Sequence, residues 1–187
     1  MAFPIRFALL LQCSLLATPG GSERLGAQST PPERWVGTWR GSLQNIGAGD
    51  SVKFTVPVTL TIARTADPAV FRWRHVYAND STKNVKDYTL KIVDAAAGTY
   101  LTDENNGILI DESFVGGILI SVFSVADQYI ENRTSVRGDT LVQELIAWKN
   151  TPIRTTGGAG PNGERGMPVS AFRVSTVQRS MLVRVAP

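Results

Sequence analysis

Over Val52–Ile62 the apolar residues Val52, Phe54, Val56, Val58, Leu60 and Ile62 alternate without a break against Lys53, Thr55, Pro57, Thr59 and Thr61. An extended chain points successive side chains to opposite faces, so this unbroken period of two, rich in β-branched residues, predicts a half-buried strand. A helix would scatter the same residues around its whole circumference. Pro57 falls on the polar face and has no N–H to give to a ladder, which requires a bulge or a sheet edge at that point.

The same period recurs along the chain. Phe71, Trp73, His75 and Tyr77 alternate with Arg72, Arg74 and Val76, and Tyr88, Leu90 and Ile92 alternate with Asp87, Thr89 and Lys91. Shorter runs follow at 99–102, 108–111, 118–125, 129–136 and 140–148, with a last strand expected within 169–185. Asn105-Asn106-Gly107 and Arg137-Gly138-Asp139 are hairpin signals, because Asn and Gly tolerate the positive φ of tight turns. Turns this closely spaced leave no room for crossover helices. The expected fold is therefore all-β, an antiparallel up-and-down meander closed into a barrel of about eight to ten strands, since closure removes exposed edges. Residues 150–168 break the pattern with five glycines and three prolines, and read either as a lid over a barrel mouth or as a disordered insertion.

The amino terminus obeys a different rule. Arg6 precedes an apolar run of eleven residues, Phe7 to Ala17, and the small residues around Leu25-Gly26-Ala27 follow a Gly-rich stretch. That order predicts a secretory signal peptide over 1–27, cut after Ala27, then a short linker over 28–34 and one domain over 35–187. Eleven apolar residues fall well short of the roughly 20 that a membrane-spanning helix needs, so no transmembrane segment is expected. Cys13 lies inside the apolar run and reads as part of it. The expected location is secreted or periplasmic. The remaining chain, Gln28–Pro187, has no cysteine and must be stable without disulfides. With 19 Lys+Arg against 16 Asp+Glu, the charge surplus is too small for a nucleic-acid footprint. One His and one Cys cannot build a zinc cage, so no metal is assigned.

Gly37-Thr38-Trp39, at the head of an all-strand chain of this size, resembles the opening of the calycin group: lipocalins, fatty-acid-binding proteins, avidins and nitrobindins. The stretch Gly98–Gly107 is similar to uncharacterised lipocalin-like proteins of bacterial envelopes. The resemblance implies that Trp39 plugs one end of the barrel beside Gly37 and that a late arginine, Arg179 or Arg184, packs across it. It also implies a small hydrophobic or amphipathic ligand or lipid inside. There are departures. Lipocalins often carry a disulfide, and 41–51 is too short for the two helices of a fatty-acid-binding protein. Haem binding of the nitrobindin type would need His75, the single histidine.

The expected lining of the barrel is Phe54, Val56, Val58, Leu60, Phe71, Trp73, His75, Tyr77 and Tyr88. No residue is assigned as catalytic and no cofactor is assigned. His75 reads first as a structural histidine satisfied by a neighbour and second as a ligand or proton carrier. Asp103, Glu104, Asp111 and Glu112 form the densest acidic cluster, which reads as a solvated hairpin before it reads as acid/base machinery. No Gly-x-Ser-x-Gly elbow accompanies His75, and the glycines of 158–163 lack the Lys-Ser/Thr of a phosphate loop. Two alternatives stand beside the binding protein: an enzyme on the same barrel, and an envelope interaction protein with a filled core.

Overall fold

The computed structural model describes residues 31–158, 160, 163 and 166–186; the expected signal peptide lies outside them. A single helical turn, α1 (Pro31–Trp35), leads into β1 (Gly37–Ile46). A short 3-10 turn then precedes β2 (Val52–Arg64), β3 (Val70–Tyr77), β4 (Val85–Asp94) and β5 (Thr99–Asp103). The meander continues through β6 (Leu109–Val115), β7 (Ile118–Val125), β8 (Gln128–Arg137) and β9 (Thr140–Lys149). A small hairpin, β10 (Arg154–Thr156) with β11 (Val169–Ala171), interrupts it before β12 (Val174–Arg184). Ten strands make one closed antiparallel barrel, each paired with its sequence neighbours, and β12 closes the ring between β9 and β1. The all-β meander expected from the alternation is the fold observed.

One local expectation changes and another is narrowed to one of its two alternatives. Residues 31–35, expected within a linker and the first strand, form α1, and its Trp35 is buried rather than part of β1. Pro57 is accommodated as an edge, not a bulge. Its carbonyl accepts from Ala78 N on the β3 side, where the β2–β3 ladder has already ended at Val58 and Tyr77. In an extended strand a residue's N and O point to the same side, so the missing N–H faces that ladder's end and costs no bond. The one irregularity between β1 and β2 is at Asn45 and Ile46.

The strands run between two unlike ends. At the end where β1 begins and β12 finishes, Trp39, Leu60, Ile62, Tyr100, Leu141 and Leu182 are almost completely buried and pack against Trp35. Each such side chain contributes about 1.5–3 kcal/mol by leaving water. Trp39 Nε1 donates to Trp35 O at 2.9 Å, fixing α1 as a plug. Arg184 is the arginine that crosses the tryptophan: its guanidinium carbon lies 4.0 Å from the Trp39 ring centroid, and β1–β12 register pairs the two residues directly. Arg179 instead stands outside, its Nε donating to Glu144 at 2.8 Å. Gly37 holds φ at +143°, and a Cβ there would sit 2.7 Å from Arg184 Nη1, so only glycine lets the guanidinium pass.

The outer wall carries ion pairs on several strands, among them Arg72 with Asp87, Glu131 with Arg133 and Glu144 with Arg179. A belt of this kind is unlike the apolar band of a lipid-facing barrel. Among the described residues no helix is long and apolar enough to cross a membrane.

Candidate functional site

Above the tryptophan core, towards the opposite end of the barrel, the lumen is open. It holds a cavity of about 260 Å³ lined by aromatic residues Trp73, Tyr77, Tyr88 and Phe123 and by aliphatic residues that include Leu43, Leu90 and Leu145. The rest of the wall is polar: His75, Thr102, Glu104, Glu112, Ser121, Asn132, Arg133, Thr134, Gln143, Glu144, Gln178 and Ser180. The insertion with β10 and β11 leaves and rejoins the barrel at this open end, between β9 and β12. Phe172 packs edge-on against Tyr129 with ring centroids 6.4 Å apart, tying the insertion to the outer wall.

His75 and Gln143 meet across the lumen, from β3 and β9, with Nε2 and Oε1 3.0 Å apart. Gln143 Nε2 turns the other way and donates to Thr134 Oγ1 at 3.4 Å. With the amide oxygen facing the ring, His75 Nε2 is the donor and Nδ1 carries the lone pair. Burial lowers the His75 pKa, against a smaller opposing effect of Gln143, which keeps the ring neutral. His75 is 7% exposed, yet Nδ1 has no protein partner. Ser121, 2% exposed, is likewise buried with an unpartnered Oγ. The Tyr77 ring stacks on His75 with centroids 5.7 Å apart and 9° between planes.

Glu112 sits on the cavity wall with Thr102 Oγ1 donating to its Oε1 at 2.5 Å. Burial raises its pKa, and the threonine only partly offsets this. Burial, with Glu104 nearby, pushes the Tyr88 phenol up to about 12. Burial also raises Tyr77.

Of the nine residues expected to line the barrel, Trp73, His75, Tyr77 and Tyr88 face the cavity. The other five do not, and the expectation of one continuous lining is corrected. Val58 and Leu60 face Gly41 and Trp39 across the β1–β2 ladder and are packed into the tryptophan core. Phe71 is buried away from the cavity wall. Val56 is half-buried against the core, and Phe54 is 49% exposed, because β2 extends past the end of its ladder with β3. The acidic cluster divides. Asp103 accepts from Asn105 N at 2.7 Å and shapes the turn, and Asp111 is exposed, whereas Glu104 and Glu112 face the cavity. The residues the sequence did not disclose are Ser121, Asn132, Thr134 and Gln143. Ser121 lies on β7, apolar on both faces, Asn132 and Thr134 on β8, polar on both, and Gln143 on β9, mixed on both, so alternation names no inner side. Asn132, in a glycosylation sequon, points into this lumen.

The chain forms a closed ten-strand antiparallel barrel, plugged at one end by a tryptophan–arginine pair and hollow at the other, an architecture consistent with a calycin-like barrel. Among known proteins, no family model matches the sequence and no curated protein is similar to it.

Proposed function

We propose that this chain is an exported, lipocalin-like binding protein that holds one small amphipathic molecule in the lumen of its barrel. The observation that carries this reading is a pair of cavity-wall residues, His75 and Ser121, each with a buried polar atom, Nδ1 and Oγ, that no protein group satisfies. Buried polar groups are nearly always hydrogen-bonded, and one left open costs about 1–3 kcal/mol. Two such residues on one cavity wall mark a place prepared for something polar, while Trp73, Tyr77, Tyr88 and Phe123 offer an apolar body its complement. The Trp39–Arg184 closure supports the lipocalin-like affiliation, and the apolar run at 7–17 supports export.

The test is a native mass spectrum beside a denaturing one, taken on protein produced from the full chain with export to the periplasm. A mass that travels with the folded protein and leaves on denaturation is the expected result. A clean apo mass, with no binding from a panel of lipids, amphipathic small molecules and haem, overturns the reading.

A further inference from the structure

The binding reading fixes a place; the chemistry of the wall fixes a class of ligand. We infer that the lumen takes a small organic ammonium ion, held by the Glu112 carboxylate between aromatic side chains.

The wall is rich in acceptors and short of cations. His75 commits its proton to Gln143 and brings no charge to the wall. Glu104 and Glu112 both face the cavity, and among the described residues no ion pair reaches either of them. Arg133 is the basic residue at the cavity wall. It alternates with Asn132 and Thr134, is 45% exposed and gives its Nε to Glu131 at 2.6 Å, so its charge is spent on the outer face. A buried carboxylate without a cation is unfavourable, and a ligand that brings the positive charge relieves it.

An anionic ligand would meet two carboxylates. A neutral alcohol would leave the charge of Glu112 unanswered. An ammonium supplies the missing charge. Trp73, Tyr77 and Tyr88 add π faces that attract cations but not carboxylates. The volume of about 260 Å³ suits one aromatic or short aliphatic amine rather than a long acyl chain.

Three probes of nearly the same shape separate the cases: 2-phenylethylamine, 2-phenylethanol and 3-phenylpropionate, titrated calorimetrically into the exported protein at neutral pH. The amine should bind about tenfold or more tighter than the alcohol, with the carboxylate weakest. Glu112→Gln should erase the amine's margin while leaving the alcohol within about twofold of its wild-type affinity. Should that variant not fold, the wild type answers by pH. Amine affinity should fall as acid protonates Glu112, while alcohol affinity stays level. The other ionisable residues at this cavity are His75, Tyr77, Tyr88, Glu104, Arg133 and Glu144. Of these, His75 becoming positive in acid acts in the same direction, so His75→Gln is titrated alongside.

An alcohol or carboxylate that binds as well as the amine overturns the ammonium inference and leaves the binding reading standing. So does an amine preference that survives Glu112→Gln, or a retained native mass that proves neutral or anionic. No binding of any probe, together with no retained mass, overturns both.

Discussion

The Arg184 guanidinium sits over Trp39, 4.0 Å from ring centroid to Cζ, while its Nη1 and Nη2 donate to Val36 O at 2.7 Å and Arg34 O at 3.0 Å. One side chain thus joins the last strand to the plug and the first strand. Its planar fork is what allows stacking and two directed bonds together, a combination a lysine cannot reproduce. Arg184→Ala should lower unfolding free energy by about 2–4 kcal/mol, from lost charged hydrogen bonds and the cation–π contact. Arg184→Lys should recover less than half of that. Arg179→Ala should cost under about 1 kcal/mol, as its partner Glu144 is met on an exposed face. Urea unfolding at constant m-value measures all three, and equal losses at 179 and 184 would contradict the assignment.

Gly41 sets how closely β1 approaches β12. A Cβ there would fall 1.9 Å from the Met181 carbonyl oxygen, a backbone atom that cannot swing aside. Gly41→Ala should therefore destabilise the barrel by about 1–3 kcal/mol or more, with amide exchange rising first along the β1–β12 ladder. Exchange that rises evenly over all ten strands would contradict this localisation.

His75 and Glu112 should pull acid stability in opposite directions. The His75 pKa is lowered by burial, so the unfolded chain takes up its proton first. That costs stability as pH falls below the ordinary histidine value of 6.5 towards the folded value. The Glu112 pKa is raised by burial, so the folded protein protonates first and gains stability as pH falls through the raised value towards 4.5. His75→Gln should remove the first slope, and Glu112→Gln should remove the second and leave the protein more stable at neutral pH. Unfolding midpoints across that pH range test both signs. An acid loss that persists unchanged in His75→Gln would assign it elsewhere.

The alternation that makes β2 legible in the sequence carries parity but not height. Val52, Phe54 and Val56 share a face with Val58, Leu60 and Ile62, yet register with β3 starts only at Val58. The first half of that face therefore extends past β3, paired with β1 alone, with Val52 and Phe54 exposed, and the second half enters the core. Trp39 was legible as a plug through Gly37-Thr38-Trp39, but the choice of Arg184 over Arg179 rests on inter-strand register, which no single strand states. The cavity was least legible. In β8, Glu131 and Arg133 face out while Asn132 and Thr134 face in, so both faces are polar and neither announces itself. A lumen walled by polar side chains erases the contrast on which sequence reading of a barrel depends.

Ser121 separates the two costs that a binding cavity carries. Its hydroxyl is buried beside Asn132, its register partner on β8, and makes no protein hydrogen bond. Ser121→Ala removes an unsatisfied group, so the ligand-free protein should be unchanged or up to about 1 kcal/mol more stable. The same change should weaken retention of the native ligand, by about three- to tenfold if one hydrogen bond is lost. Ser121→Phe fills space that the wild type leaves open, and should abolish retention while the far-ultraviolet spectrum of the barrel is kept. Gln143→Leu serves as the counterpart: it leaves His75 Nε2 without its acceptor and should cost about 1–3 kcal/mol even with no ligand present. Thermal melts with and without ligand on the three variants decide the matter. If Ser121→Ala destabilises the empty protein as much as Gln143→Leu does, the hydroxyl is structural and the orphaned pair no longer marks a ligand.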